Sequence, residues 1–169
     1  MHSAVNDGNA LEAAPGRGMC YIPLSSCCLS RGGVVPQAIS SGFRKLLGEP
    51  AFCQFATLLP DGSPQITQVW VETDGEHVLI NTFEGSQKEK NVHRDPRVAV
   101  NVVDPANAWR LATVRGRVVD VTTEGAIEQI DRLANKYLGH DTYQYHNPNR
   151  KRTTIKILPE KINEVGLGE

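Results

Sequence analysis

The sequence predicts an antiparallel β-barrel of six strands with added helices, an α+β fold within one domain. The chain has 169 residues, of which 40% are hydrophobic and 22% charged, which is typical of a single globular domain. About six segments are rich in β-branched and apolar residues and are joined mainly by short turns. Strand–helix–strand repeats are few, which disfavours a doubly wound parallel sheet. An antiparallel barrel of six strands therefore fits better.

The first 36 residues differ from the rest in composition. They are rich in Gly, Ser, Ala and Asn, and they lack a charged segment followed by a long apolar one. We therefore expect residues 1–36 to be a flexible tail rather than a signal peptide, and residues 37–169 to form the barrel domain.

Helix and strand signals follow in order through the first half of the domain. Pro36 suits the first turn of a helix, and the apolar spacing predicts an amphipathic helix over residues 37–48. Strands are predicted over 51–59, 64–73 and 77–82. Turn residues at 60–63 separate the first two, and Asp74-Gly75 is a strong hairpin signal between the second and third.

The second half alternates a short helix, two strands, a long helix and a last strand. The short helix spans 86–95 and ends at Asp95-Pro96. Strands are predicted over 97–104 and 109–122, the latter bent at Gly116. A long amphipathic helix within 123–139 is capped by Gly139, and a last strand spans 152–162.

Composition excludes several function classes. A formal net charge of −1 argues against a nucleic-acid partner, and no apolar run reaches the roughly 20 residues that cross a bilayer, so no membrane partner is expected. The four cysteines, Cys20, Cys27, Cys28 and Cys53, lack zinc-ligand spacing and read as free thiols of a cytoplasmic protein. No metal site is expected.

The chain also lacks the usual signatures of a protein nucleophile or catalytic base. Neither GxSxG nor HExxH occurs, and the histidines are scattered. We therefore predict no catalytic side chain and expect a cofactor to supply the chemistry of any reaction. The loop with Tyr143, Tyr145 and His146 could line a pocket or form a turn with aromatic lids.

The stretch NTFEGSQKEKNVHRDPR (81–97) carries the best candidate site. A strand ends near Thr82, a glycine follows, and a helix begins near Ser86, with Lys88 and Lys90 in its first turns. Free N–H groups and the positive end of the helix dipole favour a phosphate there. From composition alone, a solvated surface helix with ordinary lysines fits better.

Several stretches together resemble a known family. They are FATLLPDGSPQITQVWVETDGEHVLINT, KEKNVHRDPRVAVNVVDP, WRLATVRGRVV and IDRLANKYLG. Over residues 37 to 163 the chain is similar to the flavin/deazaflavin-binding split-barrel family, and more closely to its pyridoxamine 5'-phosphate oxidase-like branch that uses coenzyme F420. The resemblance implies a six-stranded antiparallel split barrel of the FMN-binding type. It also implies a homodimer with the cofactor in a groove at the interface.

The resemblance also implies site residues. The cofactor ring would lie along Ile66, Thr67, Gln68 and Val69, and Trp109 of the second chain would wall the groove. Lys88 matches the family's phosphate-binding lysine. With it the phosphate cradle becomes preferred over the surface helix, and its further members are Thr82, Ser86, Gln87, Lys90 and Asn91. Many relatives carry arginine where this chain has Ser86, which weakens the grip on an anion. Trp70 and Phe83 are expected in the core rather than against the cofactor.

The function implied is hydride transfer between coenzyme F420 and a small unsaturated organic acceptor. Two alternatives stay open. One is an FMN-dependent oxidase or reductase of the same fold. The other is a non-enzymatic dimer that carries F420 or binds another planar anion such as haem.

Overall fold

The computed structural model describes residues 35–168. The expectation of a flexible tail therefore lies almost wholly outside the described residues, as do Cys20, Cys27 and Cys28. Within this range, three helices and seven strands occur, and their bounds are α1 Ser41–Gly48, β1 Phe52–Leu58, β2 Pro64–Val69, β3 Val71–Thr73, β4 Val78–Phe83, α2 Gln87–Arg94, β5 Arg97–Asp104, β6 Asn107–Thr122, α3 Ala126–Leu138 and β7 Arg152–Val165.

The strands form one antiparallel sheet that curls into a half-barrel, as the sequence predicts. Their order is β2-β1-β5-β6-β7-β4-β3, and every neighbouring pair is antiparallel. The fold is the split barrel of the resemblance. The two strands at the edges of the sheet, β2 and β3, are joined by the single residue Trp70. The curl of the sheet brings its opposite edges together at this residue.

The predicted number of six strands is wrong by one because of Trp70. The sequence alternates without a break through residues 64–73, which predicts one strand. In the structure, residues before Trp70 pair with β1 and residues after it pair with β4. The chain leaves one edge of the sheet and joins the other, so the strand becomes two. An alternating pattern reports which face is buried but carries no information about the pairing partner.

The first helix is shorter than predicted. It begins at Ser41, because the Ser40 hydroxyl accepts a hydrogen bond from the backbone N–H of Phe43 at 3.0 Å and caps the helix there. The preceding Gln37 is held by β7 instead: its backbone N–H donates to Pro159 at 2.9 Å, and its side-chain oxygen accepts from Ile162 at 2.7 Å. Gln37 is therefore tied to the sheet, and the helix begins only at Ser41.

The core fills the inner face of the sheet. Its fully buried large side chains come from α1 and from the strands β1, β3, β4, β5 and β7, and they include Phe43, Leu46, Leu47, Phe55, Val71, Ile80, Val102, Ile155 and Ile157. Helix α1 packs against β3, β5 and β6, and α3 packs against β7 and β4. Cys53 is buried in this core with a free thiol, and burial raises the pKa of that thiol to about 12.

The predicted bend at Gly116 coincides with a shift in the β6–β7 register. The pairing slips between Arg115 and Gly116. A Cβ at position 116 would lie 2.4 Å from the Leu158 carbonyl oxygen, so the two backbones approach closer there than any side chain allows. This close approach lets the longest pair of strands follow the curve of the barrel.

Candidate functional site

A cavity of about 330 Å³ opens where the β2–β3 joint meets the end of β4. Residues from the four strands β1, β2, β4 and β7, from α2 and α3, and from the loop before β7 contribute to its wall. They are Ala51, Phe52, Gln68, Val69, Trp70, Asn81, Thr82, Phe83, Lys88, Ile130, Tyr137, Tyr143 and Arg152. Two of these residues, Lys88 and Arg152, carry cationic side chains, and none of the lining residues is Asp or Glu. The cavity therefore favours an anionic ligand.

Lys88 reaches the cavity from the first turn of α2. The Ser86 hydroxyl caps this helix by accepting from the Glu89 backbone N–H at 3.3 Å, and the Glu89 carboxylate accepts from the Gly85 N–H at 3.2 Å. The ammonium of Lys88 faces no carboxylate among residues 35–168. Burial, which removes water from the charge, lowers its pKa. An incoming anion would relieve that cost.

Aromatic rings form one wall of the cavity. Trp70 stacks on Tyr137 with centroids 5.2 Å apart and planes 8° from parallel, and Tyr143 meets Trp70 edge-on at 5.8 Å. The Tyr137 hydroxyl donates to the Ala51 carbonyl at 2.8 Å and accepts from the Val71 N–H at 3.3 Å. These bonds fix the ring of Tyr137, and through it Trp70, so the wall is preformed.

Arg152, the first residue of β7, is held in the cavity wall next to Tyr143. Its guanidinium lies 4.6 Å from the centre of the Tyr143 ring, and its Nη1 donates to the Asn81 side-chain oxygen at 3.3 Å. The Asn81 amide in turn donates to the Ala126 carbonyl at 2.8 Å and to the Gln129 side-chain oxygen at 3.0 Å. A buried network on α3 thus orients an arginine toward the cavity.

The structure brings four of the predicted site residues to the cavity: Gln68, Val69, Thr82 and Lys88. Gln68 and Val69 come from the end of edge strand β2, and Thr82 comes from the end of β4. The Thr82 hydroxyl lies 3.0 Å from that of Ser86, so these two hydroxyls bond to each other beneath the start of α2.

The other predicted residues lie elsewhere. On α2, Ser86 caps the helix, the Gln87 side chain donates to Asn91, and Lys90 is exposed. Ile66 and Trp109 are 65% and 78% exposed. Thr67 is half-buried on the inner side of β2. Asn91 is fully buried, and its amide donates to Thr57 at 2.9 Å and Gln65 at 3.0 Å. It braces α2 against β1 and β2 without lining the cavity.

Sequence reasoning missed Arg152 and much of the aromatic wall. Trp70 and Phe83, expected in the core, line the cavity, as does Tyr143, whereas His146 is exposed. The sequence indicated that the loop with Tyr143, Tyr145 and His146 could line a pocket, and of these three residues only Tyr143 does so. Arg152 faces the cavity because it pairs with Phe83 across β4 and β7, more than 60 residues apart in the chain. No local pattern reports such a pairing.

The described part of the chain holds no group of three His, Cys, Asp or Glu side chains placed to bind a metal ion. Likewise, none of the helices within residues 35–168 has the length and apolar character to cross a bilayer. The cavity wall contains no His, Cys, Asp or Glu either. Besides its aromatic rings, the wall offers the cations of Lys88 and Arg152 and the polar side chains of Gln68, Asn81 and Thr82.

Comparison with known proteins agrees with this architecture. A family model described as pyridoxamine 5'-phosphate oxidase matches residues 40–166, which cover most of the described chain. The chain belongs to the pyridoxamine 5'-phosphate oxidase family. No curated protein shows significant similarity to this family member.

Solved structures of the family share the fold. One named F420 reductase is 29% identical with a TM-score of 0.65, covering 74% of this chain and 98% of its own. A conserved hypothetical protein from Mycobacterium tuberculosis is 21% identical with a TM-score of 0.59, covering 78% and 87%. A putative pyridoxamine 5'-phosphate oxidase from Listeria innocua is 19% identical with a TM-score of 0.55, covering 71% and 92%. The last two support the fold alone.

Proposed function

We propose that this family member is an oxidoreductase that transfers a hydride between coenzyme F420 and a small unsaturated organic acceptor. The observation that carries the proposal is the cavity itself, in which a half-buried lysine without a carboxylate partner faces a preformed aromatic wall. The likeness to a structure named F420 reductase supports the choice of cofactor.

The residues present fit a cofactor that combines a planar ring with a phosphate. Trp70 and Tyr137 offer flat apolar surface, and Gln68 offers an amide at the edge strand. Lys88 and the start of α2 offer an ammonium and the positive end of a helix dipole to the phosphate. The cofactor, when bound, supplies the hydride chemistry.

The protein orients the cofactor ring and excludes water from it, and it does not supply a reactive group. The edge of β2 positions one side of the ring, and the aromatic wall excludes water from its face. Tyr137 cannot serve readily as an acid at neutral pH, since burial raises the pKa of its hydroxyl and both of its hydrogen bonds go to backbone groups. No protein nucleophile takes part.

The proposal includes a homodimer that completes the groove. The outward face of β1, β2 and β7 carries apolar side chains that one chain leaves in solvent: Phe52, Ile66 and Val165 are 49%, 65% and 46% exposed. Phe52 also lines the cavity, so a second chain on this face would extend the binding site. Trp109 of that second chain would be available to wall it.

A paired titration of the purified protein tests the cofactor. F420 and FMN are each followed by fluorescence, and we expect F420 to bind more tightly. A tighter complex with FMN would overturn the choice of F420 and favour a flavin-dependent oxidase or reductase. Tight F420 binding without turnover over a broad acceptor panel would favour a cofactor-carrying dimer instead.

Lys88→Ala tests the phosphate assignment. Loss of Lys88, the only lysine that lines the cavity among residues 35–168, is expected to weaken F420 binding by about 1–3 kcal/mol, the range for removing the partner of a charged group. Lys90→Ala is the matched control variant. Lys90 lies two residues after Lys88 on the same helix, but it is exposed and does not line the cavity. Equal dissociation constants for wild type and Lys88→Ala would contradict the assignment.

A further inference from the structure

We propose that the cavity contains a carboxylate subsite built on Arg152, and that the acceptor is therefore a small conjugated carboxylic acid. This inference rests on the proposed function and deepens it by naming the acceptor class. It concerns a residue that neither the sequence patterns nor the resemblance assigns to the site.

The position of Arg152 is fixed before any ligand arrives. Its Nη1 is committed to Asn81, which is only 9% exposed and is itself anchored to α3 by two hydrogen bonds. Gln129, one of those anchors, also accepts from the Thr154 hydroxyl at 2.6 Å. A guanidinium held in this way loses little conformational entropy when it binds a ligand, and its remaining N–H groups stay free.

Arg152 has no carboxylate partner among the described residues, unlike an arginine that stabilises the fold through an ion pair. Four other arginines of the described chain form ion pairs, as Arg110 does with Glu49 and Asp104, and Arg132 does with Glu72. Arg152 forms no ion pair with any described residue, and no carboxylate lines the cavity. A half-buried guanidinium in such a place is complementary to an anion brought by a ligand.

Arg152 and Lys88 approach the cavity from different sides of the sheet. Thr82 faces α2, since its hydroxyl contacts Ser86, whereas its neighbour Asn81 faces α3. Phe83 lies on the same face as Asn81, and Arg152 pairs with Phe83 across the strands. The two cations are therefore built into separate walls. With a cofactor phosphate at Lys88, Arg152 is left for a second anion.

The surroundings of Arg152 select a flat ligand with a carboxylate at one end. Tyr143 stacks under the guanidinium and meets Trp70 edge-on, so the arginine ends an aromatic slot. The free N–H groups of a guanidinium match the two oxygens of a carboxylate in one plane. A conjugated acid would lie flat in this slot with its carboxylate on Arg152.

The test uses the full chain and a matched pair of probes, cinnamate and the neutral cinnamide. Binding is followed by tryptophan fluorescence and calorimetry, with and without F420. We expect wild type to bind the acid at least tenfold more tightly than the amide. In Arg152→Met this preference should vanish while amide binding is kept, and Arg152→Lys should restore part of it. Arg44→Met, which removes an exposed arginine outside the cavity, should behave as wild type.

Three results would overturn the subsite. They are equal binding of acid and amide to wild type, binding of neither probe, and an acid preference that survives in Arg152→Met. Loss of F420 binding in Arg152→Met with the acid preference intact would assign the arginine to the cofactor. The proposed function fails separately: if wild type does not bind F420 but still prefers the acid, the carboxylate subsite stands and the F420 reaction does not.

Discussion

Lys136 holds a positive charge where solvent reaches it poorly. Its ammonium donates to the Leu47 carbonyl at 2.8 Å and to the Val71 carbonyl, which ties α3 to the end of α1 and to the start of β3. Burial, opposed by the charge of Glu72, lowers the pKa of Lys136 from its ordinary 10.5 to about 8. The residue therefore supports the wall behind Trp70 at a cost in desolvation.

This lowered pKa predicts a pH dependence of stability. Because the folded state binds the proton less tightly than the unfolded state, the cost is fully present below about pH 8 and is relieved as the pH rises toward 10.5. Between pH 7 and pH 9.5, wild type should gain about 1 kcal/mol of unfolding free energy relative to Lys136→Met, after allowance for partial exposure. Urea unfolding at both pH values measures this gain.

A difference between wild type and Lys136→Met that does not change with pH would show that Lys136 titrates as a solvated lysine. Lys45→Met, which removes an exposed lysine from α1, is the control and should give no such gain.

For single residues, the sequence predicts a position in the site only where that position depends on neighbouring residues in the chain. Lys88 follows a strand end, a glycine and a capping serine within one short stretch, so its position at a helix start can be read directly. Arg152, Asn81 and Tyr137 cannot be found in this way. They meet through the β4–β7 ladder and through the packing of α3, and such distant contacts leave no periodic trace in the chain.

Helix α2 is the element on which the phosphate end of the site depends. It has eight residues, which is too short to be stable by itself, and its first turn is organised by Ser86 and Glu89. The Ser86 hydroxyl serves both the Glu89 N–H and the Thr82 hydroxyl. One small side chain thus fixes the start of the helix and its distance from the end of β4.

Ser86→Ala should lower the free energy of unfolding by about 1 kcal/mol, the usual cost of removing an N-cap. F420 affinity should also fall, because the first turn that carries Lys88 loses its anchor. Chemical denaturation and the F420 titration measure the two effects. An unchanged unfolding free energy would mean that Ser86 does not cap α2. Ser41→Ala, at an exposed position in the first turn of α1, is the control.

Elements with sharp local signals were predicted well. The bounds of β5 at Arg97–Asp104 agree with the prediction, because Asp95-Pro96 ends the helix before it and a turn follows it. The Asp74-Gly75 hairpin is present, with Gly75 at φ 99° and the Asp74 carboxylate accepting from two backbone N–H groups. The break at Trp70 was missed because it is a change of pairing partner, which alternation cannot reveal.

At the scale of the whole molecule, the outward face of the sheet predicts the assembly. Ala99 lies exposed near its middle, opposite Ala56 on β1 and Arg115 on β6. If a second chain covers this face, Ala99→Arg adds a bulky charge to the interface and should shift the protein toward a monomer. Light scattering across a dilution series measures the mass.

The control for this prediction is Asn135→Arg, which adds the same charge on the exposed side of α3. It should leave the mass unchanged. A monomeric wild type at all concentrations, or a dimer that tolerates Ala99→Arg, would place the interface elsewhere or remove it. The sequence alone offers no signal for this face, because apolar residues there follow the same alternation as those of the core.

The joint at Trp70 also bears on how the chain folds. Because β2 and β3 are neighbours in sequence but occupy opposite edges, the barrel cannot close until β1–β5 and β4–β7 have both formed. These pairings join residues far apart in the chain, so loop-closure entropy delays them. We therefore expect the stacking of Trp70 on Tyr137 to be among the last native contacts to form. The indole that walls the cavity becomes an intrinsic reporter of the final step of refolding.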